Sequence, residues 1–231
     1  MTSSQCKERY ETFNTLLPEC MDSIIFDAEG IQGTANLSSP TSKVAVVFGD
    51  NASGKSLVTL AMRAFLGPRD ETGVEIFKVS MQTRTAAGMA GVFMYLDEEY
   101  SSTGASSLHV VTTAFHNARE RENPVWLILD EPDIGLSDKY ASAMGAYLAR
   151  EINSLPDQVR GVVIISHSRP LLRRMRANLD EPPHEVSMGA AQSLDEYLNP
   201  SEPQEASIEE LLEFGQRAGR TMKSVSQVLH G

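Results

Sequence analysis

Hydrophobic positions along this chain follow two periodicities. Three short runs are apolar throughout: VAVVF at 44–48, VWLIL at 125–129 and GVVII at 161–165. A strand that is polar on neither side must be covered on both, so such runs predict central strands of a sheet sandwiched between helices. Weaker strand patterns occupy 23–38 (SIIFDAEGI, then GTANL), the alternating VEIFKVSMQ at 74–82, and GVFMYL at 91–96. Between them the spacing becomes helical. QCKERYETFNTLL at 5–17 predicts an amphipathic helix closed by Pro18, and SLVTLAMRAFL at 56–66 a second. A third spans 106–122 and stops at Asn123-Pro124, because the residue before a proline is biased away from helix. A fourth covers 139–153, and an Arg-rich one starts near Pro170. Apolar strands alternating with helices predict an α/β fold, a mainly parallel sheet flanked by helices. The Pro- and acid-rich stretch around 180–205 reads as a mobile connector, within a 177–206 link between a core at 23–176 and a docked C-terminal helix at 207–229.

Composition narrows the picture. A length of 231 residues suits one domain, with 41% apolar and 22% charged residues as in an ordinary globular protein. Lys plus Arg total 20 against 31 Asp plus Glu, a net charge of −11. That balance argues against a protein that coats DNA or RNA, since backbone binding draws on positive surface; net charge does not indicate direct nucleic-acid binding, while a local basic patch leaves it open. No apolar run approaches the roughly 20 residues that span a bilayer, so no membrane span is expected. Cys6 and Cys20 lack metal-ligand companions, and without a visible export leader a reduced, cytoplasmic state is the expectation. Arg169, Arg173 and Arg176 fall on one helical face, read first as a solvated face offsetting the acidic total and otherwise as a docking surface for nucleic acid or an acidic partner.

The chemistry begins at GDNASGKS, residues 49–56, which fits G-x-x-x-x-G-K-S/T in full and lies between a strand and a helix. Gly49 and Gly54 permit backbone conformations other residues resist. The amides through Asp50, Asn51, Ala52 and Ser53 can then form an anion-binding nest at a helix N-terminus. Lys55 adds a point charge for the outer phosphates, and Ser56 offers a hydroxyl to Mg²⁺. The strand VWLIL delivers Asp130 and Glu131 at its C-terminal end, where open α/β sheets keep their ligands. Asp130 is expected to complete the metal shell and Glu131 to polarise a water for in-line attack on a γ-phosphate.

Together these segments resemble a family. LILDEPDIGLSD is similar to the acidic strand and dimer loop of ABC-type ATPases, and more closely to the non-transporter branch of RecF-like, SMC-like and OLD-like P-loop ATPases. GDNASGKS is near that branch's preferred cradle, and IISHS at 164–168 resembles its switch histidine, here His167. The resemblance covers about 23–176. It implies ATP as the nucleotide, Mg²⁺ as the metal, and a homodimer closed head-to-tail by ATP. In such a dimer Ser137 and Asp138 belong to the dimer loop, where Ser-Asp replaces the usual His-Pro. Ser102 and Gly104 in SSTGA would be the degenerate signature closing the partner's site, and Gln82 would join the metal shell. Only 18 residues (83–100) would separate Gln82 from that signature, so the helical insert is minimal. The output implied is a conformational switch controlling a separate nuclease or DNA-processing partner. The alternatives are the nucleotide-binding subunit of an ABC transporter, which the short insert disfavours, and a small-molecule phosphotransferase.

Overall fold

In a computed structural model, residues 12–23, 26, 32–51, 53–67, 73–80, 103–189, 193–201 and 207–210 are described. The elements are α1 (Phe13–Met21), β1 (Gly33–Asn36), β2 (Val44–Phe48), α2 (Lys55–Leu66), β3 (Glu75–Ser80) and α3 (Thr103–Arg119). They continue with β4 (Val125–Asp130), α4 (Asp138–Asn153), β5 (Val159–Ile165), α5 (Arg169–Arg176), β6 (His184–Met188) and α6 (Leu194–Leu198). The strands form one six-stranded sheet in the order β1-β6-β2-β5-β4-β3. Every pairing is parallel except β1 with β6. The fold is α/β with a mostly parallel sheet.

Two-sided burial explains the unbroken apolar strands. Val44, Val46 and Phe48 of β2, Leu127 and Leu129 of β4, and Val162 and Ile164 of β5 pack with α3, α4, α5 and α6. The alternate residues Ala45, Val47, Trp126, Ile128, Val163 and Ile165 pack with α1 and α2. All residues of β2 and β4 are buried. Residues two apart on a strand share a face, so each strand feeds both cores.

The structure differs from the sequence expectations in three places. Pro18 lies inside α1 and does not end it. A mid-helix proline costs about 3 kcal/mol, but Phe13, Leu16, Leu17 and Cys20 are buried on one face, and packing of that face holds the turn. α3 starts at Thr103, three residues ahead of the pattern. The third difference is the largest: the expected connector supplies β6 and α6. β6 is inserted between β1 and β2, with His184 fully buried. His184 Nδ1 accepts from the Ser38 amide at 3.1 Å and its Nε2 lies 3.2 Å from the Ser42 carbonyl, so a polar letter becomes a satisfied core residue. Of the expected C-terminal helix only 207–210 are described, with Ile208 exposed. The segments 5–11 and 91–96 lie outside the described residues.

Gly145 shows how closely α4 and α5 approach. A Cβ there would stand 2.2 Å from the Leu171 carbonyl oxygen and 3.0 Å from the Met175 amide. Helix propensity alone makes Gly→Ala stabilising. Here Gly145→Ala is expected to destabilise by about 1–3 kcal/mol through overpacking. A thermal melt would then show a midpoint lowered by several degrees, and a raised midpoint would contradict the close approach.

Candidate functional site

Strand register aligns the chemistry. Val47 pairs with Ile165, Ile165 with Asp130, and Asp130 with Ser80, so the chain leaves β2, β5, β4 and β3 at one level along one edge. Two further bonds stitch the departing loops together. The Ser166 amide donates to Val47 O at 3.1 Å, and the Glu131 amide to Ile165 O at 2.8 Å.

The turn after β2 is shaped by glycine. Gly49 has φ 141°, and a Cβ there would fall 2.1 Å from the Met188 carbonyl at the end of β6. Gly54, at φ 96°, is the left-handed N-cap of α2. No side chain caps that end and its first turn carries no acid, so its leading amides and helix dipole favour an anion. Lys55 is buried, and its Nζ donates to Gly49 O at 3.0 Å and Asp50 O at 2.7 Å, placing the ammonium across the mouth of the turn. Ser53 Oγ is buried without a hydrogen-bond partner, an orphan donor within the same turn. Asp50, Asn51 and Ser56 are exposed, and Ala52 lies outside the described residues. A turn with a cation, an uncapped helix N-terminus and an unmet hydroxyl fits a phosphate chain.

Beside it stand the carboxylates and the imidazole. Asp130 ends β4, is buried, and pairs with Lys78 Nζ of β3 at 3.0 Å. Glu131 follows at φ 53°, a left-handed conformation that no other described non-glycine residue adopts. Such backbone costs about 1–3 kcal/mol and persists where surrounding structure holds it. Its Oε1 lies 3.3 Å from His167 Nδ1. The turn carrying His167 is fixed by Ser166, whose fully buried Oγ donates to Asp133 Oδ1 at 3.0 Å and accepts the Ser168 amide at 3.0 Å.

Electrostatics tie these groups together. Burial lowers the Lys55 pKa, while the charges of Glu131, Asp50 and Asp130 pull it back up. The hydrogen bond from His167 holds the Glu131 carboxyl below its ordinary range against the opposing effect of burial, with the charges of His167 and Lys55 helping. The Glu131 hydrogen bond raises His167 against burial, and the charges of Glu131 and Asp133 add to it while Lys55 opposes. Lys55, Asp130, Glu131 and His167 therefore share one neighbourhood. Among the described residues no cluster of three or more His, Cys, Asp or Glu side chains is arranged to hold a metal. Ser56 and Asp130 suit a Mg²⁺ that takes its remaining ligands from phosphate and water.

The other sequence candidates divide. Gly104 lies at the start of α3, where a Cβ would meet Leu136 at 2.7 Å and Gly135 O at 3.1 Å, and Ser107 Oγ donates to Ile134 O at 2.7 Å. Gly104 thus has a packing role within its own chain, against the loop that leads to Ser137 and Asp138. Ser137 is the exposed N-cap of α4 and Asp138 its exposed first residue. Gln82 and Ser102 lie outside the described residues. The arginine face stays partly solvated, with Arg173 exposed, but its three guanidinium groups also bond within the chain. Arg169 Nε donates to Tyr197 O at 2.9 Å, Arg173 bonds Leu198 O, and Arg176 pairs with Asp195, all on α6. Lys78, Asp133, Ser166 and Tyr197 escaped the sequence reading, because only tertiary contacts distinguish them from ordinary strand, turn and helix residues. A cavity of about 670 Å³ opens beside Glu131 and His167, bounded by Leu136, Arg173, Leu198 and Pro200. No described helix is long and apolar enough to cross a membrane.

The Glu131–His167 pair has a pH signature. A raised imidazole contributes fully below its unfolded value of 6.5 and fades as pH rises through its higher folded value. A lowered carboxyl contributes above 4.5 and is lost as pH falls through its folded value. His167→Gln should therefore cost stability near pH 6 and progressively less toward pH 9. The pair is partly exposed, so the loss is at most about 1 kcal/mol after solvent screening. Melts of both proteins across that range read it, and a difference that does not shrink at alkaline pH would refute the pairing. No family model matches this chain and no curated protein matches it, so the arrangement rests on its own chemistry.

Proposed function

We propose that this chain is a Mg²⁺-dependent P-loop ATPase of the ABC-like, non-transporter kind, two copies of which close head-to-tail on ATP and act as a conformational switch for a separate nuclease or DNA-processing partner. The observation that supports this most is the convergence, at one edge of a parallel sheet, of a cationic glycine turn, an acidic pair and an imidazole. Each part matches a requirement of phosphoryl transfer, in which positioning and electrostatic stabilisation do nearly all the work.

In this reading the amides of the Gly49–Ser56 turn and the Lys55 ammonium bind the β- and γ-phosphates. Mg²⁺, held by Ser56 and Asp130, would neutralise charge between those phosphates. Glu131 orients the attacking water; kept ionised by His167, it is a hydrogen-bond acceptor more than a strong base. His167 Nδ1 faces Glu131, so Nε2 is the nitrogen available for a γ-phosphate oxygen. The strained backbone at Glu131 aims its carboxylate into the site. Ile134 and Tyr140, exposed apolar residues flanking Ser137 and Asp138, suit a surface that meets a second copy.

Glu131→Gln should retain ATP, lose about 10²–10⁴ in hydrolysis rate, and accumulate as a dimer in light scattering with ATP. Lys55→Ala should bind no fluorescent ATP analogue. A Glu131→Gln protein that stays monomeric with ATP defeats the sandwich. Lys78 adds a metal-specific expectation, because Asp130 would have to give up its ion pair with Lys78 to hold the metal. Lys78→Gln should lower several-fold the Mg²⁺ concentration at half-maximal binding of that analogue, and an unchanged or higher requirement would show that Lys78 does not compete.

A further inference from the structure

The switch histidine is held from a place the chemistry above does not use. Tyr197 Oη on α6 donates to the main-chain carbonyl of His167 at 2.9 Å. A carbonyl only accepts, so the phenol must be protonated, and burial raises its pKa in that direction. The Tyr197 ring packs on Phe48, the last residue of β2 before the glycine turn, with centroids 5.2 Å apart. The Arg169 guanidinium lies 5.0 Å from the ring centre and donates to Tyr197's own carbonyl. One side chain thus touches both the strand that feeds the cradle and the loop that carries His167.

The clamp on α6 is far more extensive than five residues of helix would need for themselves. Arg173 and Arg176 bind its C-terminal carbonyl and Asp195. Ser193 and Glu196 form a reciprocal cap at its start, and the Leu194 amide donates to Glu185 Oε2 of β6 at 3.0 Å. Leu198 and Pro200 then wall the cavity that Glu131 and His167 open into.

We propose that Tyr197 is a positioning residue for His167: through the His167 carbonyl it sets the imidazole against Glu131, and so makes α6 a working part of the ATPase site. This rests on the ATPase reading for its consequence in catalysis, but the contact itself is measurable without turnover. His167 faces Glu131, Asp133 and Lys55, and the mutual hold of the first two on the imidazole requires the ring to stay where the loop places it.

Tyr197→Phe keeps the ring on Phe48 and removes only the hydroxyl. In the full-length chain, the NMR signal of the His167 ring is assigned by its loss in His167→Gln. In Tyr197→Phe its titration midpoint should fall toward 6.5, with a melting temperature within a few degrees of wild type. The kcat for ATP should drop several-fold at a KM changed less than twofold. Asp195→Asn, which loosens α6 and leaves Tyr197 intact, should move the same signal in the same direction by less, and it decides the matter if Tyr197→Phe does not fold. A His167 midpoint unchanged in the variant that folds overturns the proposal. A wild-type protein that hydrolyses no ATP, with the midpoint still shifted, overturns the ATPase reading alone.

Discussion

Strands β2, β5 and β4 carry no polar face, and that constraint organises the molecule. They are stable only with helices on both sides, so every connection between them crosses a face and the three run the same way. Parallel strands in register end together. The cradle, the acidic pair and the histidine are adjacent because three apolar strands of similar length lie side by side, with Val47, Ile165 and Asp130 in one row. The chemistry is a by-product of burial.

Charge then does what the backbone alone does not. The site places a buried ammonium near two adjacent carboxylates, and Lys55, Glu131 and His167 each feel the charge of the other two or of the acids beside them. Two of these groups are held by ion pairs, Asp130 with Lys78 and Glu131 with His167. The Lys78–Asp130 pair belongs to the same economy, since it supplies Asp130 with a cation across the β3–β4 pairing.

The last strand and helix show how a weak sequence segment is made structural. β6 carries His184 and Ser187 into the core, where the imidazole meets the Ser38 and Ser42 backbone, and α6 is fastened by three arginines of α5. An arginine stripe expected as a solvated face also bonds within the chain. The helix it fastens reaches back, through Tyr197, to the loop of His167.

The amino-acid sequence by itself determined the α/β class, the three central strands, and the glycine turn with Lys55 and the Asp130–Glu131 pair. Those features depend on local periodicity and on residue types whose chemistry is fixed wherever they sit. Tertiary structure decided the rest. The passage of α1 through Pro18, the conversion of a Pro- and acid-rich stretch into β6 and α6, the Lys78 ion pair and the Tyr197 contact all join residues far apart in the chain. Their stability comes from partners that no window of neighbouring letters contains: a buried face beneath Pro18, the Ser38 and Ser42 backbone around His184, and an arginine face waiting for α6.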